Sequence, residues 1–117
     1  MKPKSKKQKT KKKNEFRFHD IEINKANGKV IKIKHPTYVF LEKGNIYIYV
    51  VITHSKKVKD YLVVKLRRNP NPKDLRDSFR IIGARKDTKD KFGKREKDWE
   101  IDFEDEQDIR DEYKKEP

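Results

Sequence analysis

The longest unbroken apolar run in this chain is seven residues, Ile46 to Ile52. A run of that length suits a strand and is far too short to cross a membrane. The other apolar runs are shorter, and they too are β-branched or aromatic, bounded by Gly, Pro and Asn, which is how strands and turns are written. Hydrophobic residues make up 32% of the 117 residues and charged ones 45%. Such a chain has material for one domain with a small core, and a large enzyme with a buried cofactor pocket is not expected.

At least five strands are expected. Phe16 to Ile23 and Val30 to Ile33 flank the turn Asn27-Gly28, while Tyr38 to Leu41 and Ile46 to Ile52 flank Lys43-Gly44-Asn45; both loops place glycine where a hairpin needs positive φ. Tyr61 to Leu66 and Phe79 to Ile82 follow, separated by Asn69-Pro70-Asn71-Pro72, whose prolines cannot donate to a ladder. Asp105 to Lys115 is the one expected helix. Acids open it, Lys114 and Lys115 close it, and Ile109 and Tyr113 supply a narrow apolar stripe that would dock weakly. A sheet of this size must curl or be covered to hide its edges, so the expected fold is mainly β: a small SH3-like open barrel of five to six antiparallel strands with a C-terminal helix.

The formal charge of +13 is unevenly placed. Residues 2 to 13 hold eight lysines and no acid, and are expected to form a disordered tail, 1–13. Residues 14 to 95 carry a net +12 within the barrel domain, 14–103. Residues 96 to 117 reverse the sign, to −7. Here Trp99, Ile101 and Phe103 alternate as an edge strand or docking arm would, and the acidic helix or tail, 104–117, follows. With no cysteine, three histidines and no HxxxH or HxH spacing, neither disulfide, zinc site nor other cofactor is expected. No apolar stretch follows the Lys-rich start, so a secretory signal and a membrane partner are not expected, and the cytoplasm is the expected compartment.

Phosphate-cradling glycine loops, the GxSxG motif and a catalytic thiol are all missing. What remains is a polar patch at strand ends: His35 before Pro36, Thr53-His54-Ser55 after the longest strand, and Arg67-Arg68 with Arg76-Asp77-Ser78 around the prolines. The net charge favours a nucleic-acid partner. Tyr47 and Tyr49 share one face of their strand. They either face outward as a stacking platform for bases or lie in a strand buried on both sides.

The stretch Lys34-His35-Pro36-Thr37-Tyr38-Val39-Phe40, then Ile46 to Ile52 running into Thr53-His54-Ser55, then Lys65-Leu66, then Arg76-Asp77-Ser78-Phe79, resembles the MazF/PemK-like toxins over roughly residues 29–91. The resemblance implies an SH3-like barrel, metal-independent endoribonuclease activity, and a homodimer or a complex with an antitoxin. It places the family's catalytic Arg at His35 and its catalytic Thr at Thr53. His replaces the Arg, and the family's Gly-Asp-aromatic motif is missing, which leaves the N-terminal third unaligned. In such a reaction His35 and His54 would divide the acid and base roles and Thr53 would orient the phosphate. Arg67, Arg68 or Arg85 would stabilise the phosphate charge, with Lys34, Ser55, Lys65 and Arg76 beside them in binding. A His before Pro is also an ordinary surface turn residue. Three functions follow: an RNA-cleaving toxin, a non-catalytic nucleic-acid-binding accessory protein of a phage or mobile element, and an inhibitor that mimics nucleic acid through its acidic end.

Overall fold

The computed structural model describes residues 9–24, 26–58 and 60–116. The order of elements is β1 (Thr10–Asn24), β2 (Val30–Lys43), β3 (Ile46–Thr53), β4 (Val63–Lys65), β5 (Phe79–Ile81), β6 (Arg85–Thr88), a short turn of tight helix (Lys89–Lys91) and α1 (Phe103–Lys115). The strands form one antiparallel sheet in the order β1-β2-β3-β5-β4, with β6 also on β3, curled into an open half-barrel. No helix among the described residues is long and apolar enough to cross a membrane.

Both hairpins form where the glycines place them, with Gly28 at φ 85° and Gly44 at φ 57°. The strands around them are longer than expected. β2 runs unbroken through His35-Pro36, joining two stretches read separately from the sequence. The proline is tolerated because the β2–β3 ladder ends at Thr37↔Val51, so at Pro36 the strand has β1 as its only ladder neighbour. His35 therefore sits inside a strand and not at its start. β1 begins at Thr10, so residues 10–13 of the expected disordered tail lie in a strand, with 10–12 paired to β2; residues 1–8 lie outside the described residues. Charge, not burial, holds this end. Lys13 sits 3.2 Å from Glu15 and 3.3 Å from Glu42, and Arg110 donates to the Lys13 carbonyl at 2.9 Å.

β6, Arg-Lys-Asp-Thr, has no apolar residue and was not expected as a strand. Its backbone pairs with Ile46 to Tyr49, continuing the edge that β5 begins at Ile52 and Thr53. Between Ile52↔Arg80 and Tyr49↔Arg85, β3 advances three residues while the other chain advances five. The surplus bulges at Gly83, whose φ is 110°. Beyond β6 the chain crosses to the free edge of β1. There Phe92 bridges His19, and the Gly93 and Glu96 amides donate to the Phe18 and Phe16 carbonyls at 2.8 Å each. Part of an open edge is thereby covered.

Alternation in β1 to β3 divides the apolar residues between two faces. On one face Phe16, Tyr38, Phe40, Ile48, Val50 and Ile52 meet Leu66 and Ile109, with Trp99, Ile101 and Tyr113 packed around them. Val39, Tyr47 and Tyr49 form a second cluster on the other face, under Val51 and Phe92. The helix does not dock weakly. Ile109 is 2% exposed, Asp102 caps the first turn by accepting from the Glu104 and Asp105 amides, Arg67 and Arg80 bond to its acids, and its own Arg110 donates to the Phe40 and Lys13 carbonyls. Trp99 and Ile101 join the core as a docking arm, but Phe103 opens the helix and is exposed.

Candidate nucleic-acid interface

Successive turns shape the loop between β4 and β5. The Asn69 carboxamide accepts from the Asn71 amide, the Asn71 carboxamide from the Lys73 amide, and the Asp74 carboxylate from the Arg76 amide, each at 3.0 Å. These short side chains take over backbone donors and hold the loop in one shape. Pro70 is buried beneath it and accepts from the Glu100 amide. The loop walls a cavity of about 470 Å³ lined by Lys65, Arg67, Arg68, Arg76 and Ser78.

Four cations give this cavity its chemical character. Ser78, also on its lining, is 1% exposed, and its hydroxyl is the only buried side-chain N or O without a hydrogen-bond partner among the described residues. Leaving such a group unpaired costs about 1–3 kcal/mol, but with so little accessible surface that hydroxyl is closed to a ligand in the cavity, and the cations alone select for an anion. Two carboxylates temper the charge. Asp74 binds Arg76 through both oxygens, at 3.0 and 2.7 Å, and those bonds hold its carboxyl well below the usual range. Asp77 lies 3.5 Å from Lys65. Arg68 has only Glu100, at 4.0 Å, and is the least engaged arginine of the cavity.

Arg67 is the most engaged. It bonds Asp105 at 3.0 Å and Asp108 at 3.1 Å, with Glu104 at 3.3 Å, and these acids, Asp108 first, raise its guanidinium further. Burial pushes the Asp105 carboxyl up even against the hydrogen bonds from Arg67. The acidic helix thus ties down one wall of the basic cavity. Glu104→Gln with Asp108→Asn should release Arg67 while keeping the buried Asp105 contact. If the cavity takes a polyanion, the double variant is expected to bind a labelled oligonucleotide several-fold more tightly at low salt, read by fluorescence anisotropy.

The other expected site residues divide among separate places. His54 faces this loop, with Nδ1 3.1 Å from the Asp77 carbonyl and Nε2 3.3 Å from Asp74. The Thr53 hydroxyl accepts from the Ser55 amide at 3.2 Å, and Ser55 in turn donates to the Lys57 carbonyl, so both serve the turn after β3. His35 lies half-buried on β2, Nδ1 3.4 Å from its own Pro36 carbonyl. No hydrogen bond or ion pair among the described residues joins it to Thr53 or His54. Lys34 is exposed on the same strand. Tyr47 and Tyr49 are 8% and 4% exposed, which rules them out as an outward stacking platform. They fail because Phe92 packs on the face on which they stand, its ring centroid 5.1 and 5.2 Å from theirs.

One buried polar group went unnoticed in the sequence. His19, directly opposite His35 in the β1–β2 register, is 5% exposed and stacks on Phe92. Its Nε2 lies 2.8 Å from Asp87 and its Nδ1 3.5 Å from the Tyr49 hydroxyl. With Nε2–H donating to the Asp87 carboxylate, Nδ1 is left to accept from the Tyr49 hydroxyl, which burial keeps above its ordinary value. The signal available was its place on β1, in step with Arg17 and Ile21 and out of step with Phe16 and Phe18. The adjoining groove, about 640 Å³, mixes Asp20, Glu22, Asp87 and Asp90 with Lys32, Lys34 and Lys91. Despite its size it suits a polyanion less well than the loop cavity.

Asp87 pins β1 to β6. Burial works to raise its carboxyl, but hydrogen bonds from His19 and the Thr88 amide outweigh that and hold it below the ordinary carboxylate value. A lowered folded value means stability that is present above the unfolded value, 3.8, and lost as the pH falls through the folded one. Asp87→Asn should lower stability at neutral pH and flatten its decline below about pH 4. Denaturant midpoints across that range measure this.

No three His, Asp or Glu side chains among the described residues converge as a metal cage. Searches against protein-family models, curated proteins and solved structures found no match for this chain.

Proposed function

We propose that this protein binds RNA and holds the phosphate backbone in the cavity between β4 and β5. The observation that carries the reading is that Lys65, Arg67, Arg68 and Arg76 line one cavity. Phosphate oxygens are the acceptors that such a set of cations suits. Charge beyond the cavity supports it. Lys32, Lys34, Lys43, Lys86, Lys94, Arg95 and Lys97 have no carboxylate within 4 Å among the described residues, whereas acids of α1 are tied to Arg67, Arg80 and Arg110. That arrangement displays positive charge and weakens the case for an acidic inhibitor that mimics nucleic acid. Titrating a labelled oligouridine in EDTA tests the reading; absence of binding at low salt contradicts it.

A second reading, metal-independent RNA cleavage of the MazF/PemK-like kind, draws on the sequence resemblance and on the half-buried His35 of β2; His19 opposite it is engaged by Asp87 and Tyr49. His35 would then supply the base or the acid in attack by a 2′-hydroxyl. If the reading holds, labelled RNA is cleaved in EDTA, and His35→Ala abolishes cleavage while leaving affinity and melting temperature unchanged. Cleavage by the variant at the wild-type rate contradicts it. A growth-arrest assay and sedimentation would then address an antitoxin partner and a homodimer.

A further inference from the structure

The exposed aromatic of the sheet lies on the edge opposite β1. Tyr61, at the entry to β4, is 51% exposed, with Leu62 at 74% and Ile82 at 39% beside it. The Leu62 carbonyl accepts from the Ile82 amide at 2.9 Å, which ties the two apolar side chains to one sheet end. β4 is the last strand of the sheet, and a cluster of large apolar side chains on such an edge is an interaction surface. The tyrosine is held in place: its amide donates to the Val58 carbonyl at 3.0 Å, after Asp60 at φ 63°. The Arg85 guanidinium lies over its ring, 4.9 Å from the centroid. Lys56 and Lys57, in the preceding turn, are exposed and have no carboxylate within 4 Å among the described residues.

We infer that Tyr61 is a stacking site for an unpaired base of single-stranded nucleic acid, with Arg85, Lys56 and Lys57 supplying the phosphate contacts. This rests on the RNA-binding reading and names its strandedness. An apolar surface alone would suit a protein partner equally well; here the aromatic carries a cation on its face and two exposed lysines stand in the turn that leads to it, which complements a base joined to phosphates. The same strand leads to the loop cavity. Tyr61 and Lys65 are four residues apart, about 13 Å along an extended chain, which a short single strand can span. Bases in a duplex are stacked on one another and unavailable to such a platform.

The test compares wild type, Tyr61→Ala, Tyr61→Leu and Tyr61→Phe for binding to oligouridine and to an RNA duplex of equal length, by anisotropy at fixed low salt. Tyr61→Ala and Tyr61→Leu are expected to lose about tenfold on the single strand and to stay within twofold of wild type on the duplex. Tyr61→Phe should keep single-strand affinity. Tyr61→Leu retains most of the apolar bulk, so its loss cannot be assigned to unfolding, and a melting curve on each variant checks this. Unchanged single-strand binding by Tyr61→Ala overturns the inference, returns the patch to a protein partner and leaves the RNA-binding reading standing. Equal losses on both RNAs overturn it too. Wild type that binds neither RNA removes the underlying reading instead.

Discussion

Glu112→Ala is expected to destabilise the protein by about 3 kcal/mol. The reason lies in its partner. Arg80, on β5 between Ile52 and Val64, has a side chain only 3% exposed, and its guanidinium donates to both Glu112 oxygens at 2.7 and 2.6 Å. Removing the carboxylate strands a charge under the helix, whereas Arg80→Met with Glu112→Leu replaces the pair by apolar bulk and should recover most of the loss. Denaturant midpoints of the two variants decide it. If Glu112→Ala is as stable as wild type, Arg80 finds solvent without help and the ion pair does not anchor the helix.

Lys65→Ala with Arg68→Ala is expected to weaken RNA binding at least tenfold at low salt while leaving the fold intact. Both side chains are 60% exposed and their acidic neighbours lie at 3.5 and 4.0 Å, so little stability depends on them. Each is free to exchange a weak surface contact for a phosphate. Arg76 is a poorer target because Asp74 already holds it, and Arg67 is worse because its loss would leave the buried Asp105 with the backbone amide of residue 67 but no cation. Anisotropy with oligouridine reads the affinity, and a melting curve shows whether the fold survives.

The barrel was legible in the sequence wherever an apolar run met a turn residue, as in Tyr38 to Ile52 around Gly44. It was illegible where a strand exists for its backbone alone. Arg85 to Thr88 has no apolar residue and forms β6 by pairing with Ile46 to Tyr49, and Thr10 to Lys12 pair with Leu41 to Lys43 next to Lys13, which Glu15 of the same strand, Glu42 of β2 and Arg110 of the helix hold. The site divides in the same way. Lys65, Arg67, Arg68 and Arg76 border a proline-rich loop, a position readable from composition, and the structure brings them to one cavity. Tyr47 and Tyr49 were misplaced because period-two alternation says which residues share a face and not whether that face is covered; here Phe92 covers it. His19 pairs with a residue 68 positions away, and Tyr61 owes its setting to Arg85, so neither partner could be assigned from local pattern.

The most direct test of the RNA-binding account is the salt dependence of oligouridine affinity, measured in EDTA for wild type and for the Lys65→Ala, Arg68→Ala variant. If the loop cavity and the surrounding lysines grip phosphates, the logarithm of the association constant falls linearly with the logarithm of salt concentration. The slope should be steeper than about −2 for wild type and shallower by about 1 to 1.5 in the variant, since each lost phosphate contact on a single strand contributes about 0.7. Binding that is absent at low salt, or a slope identical in the two proteins, would contradict the account.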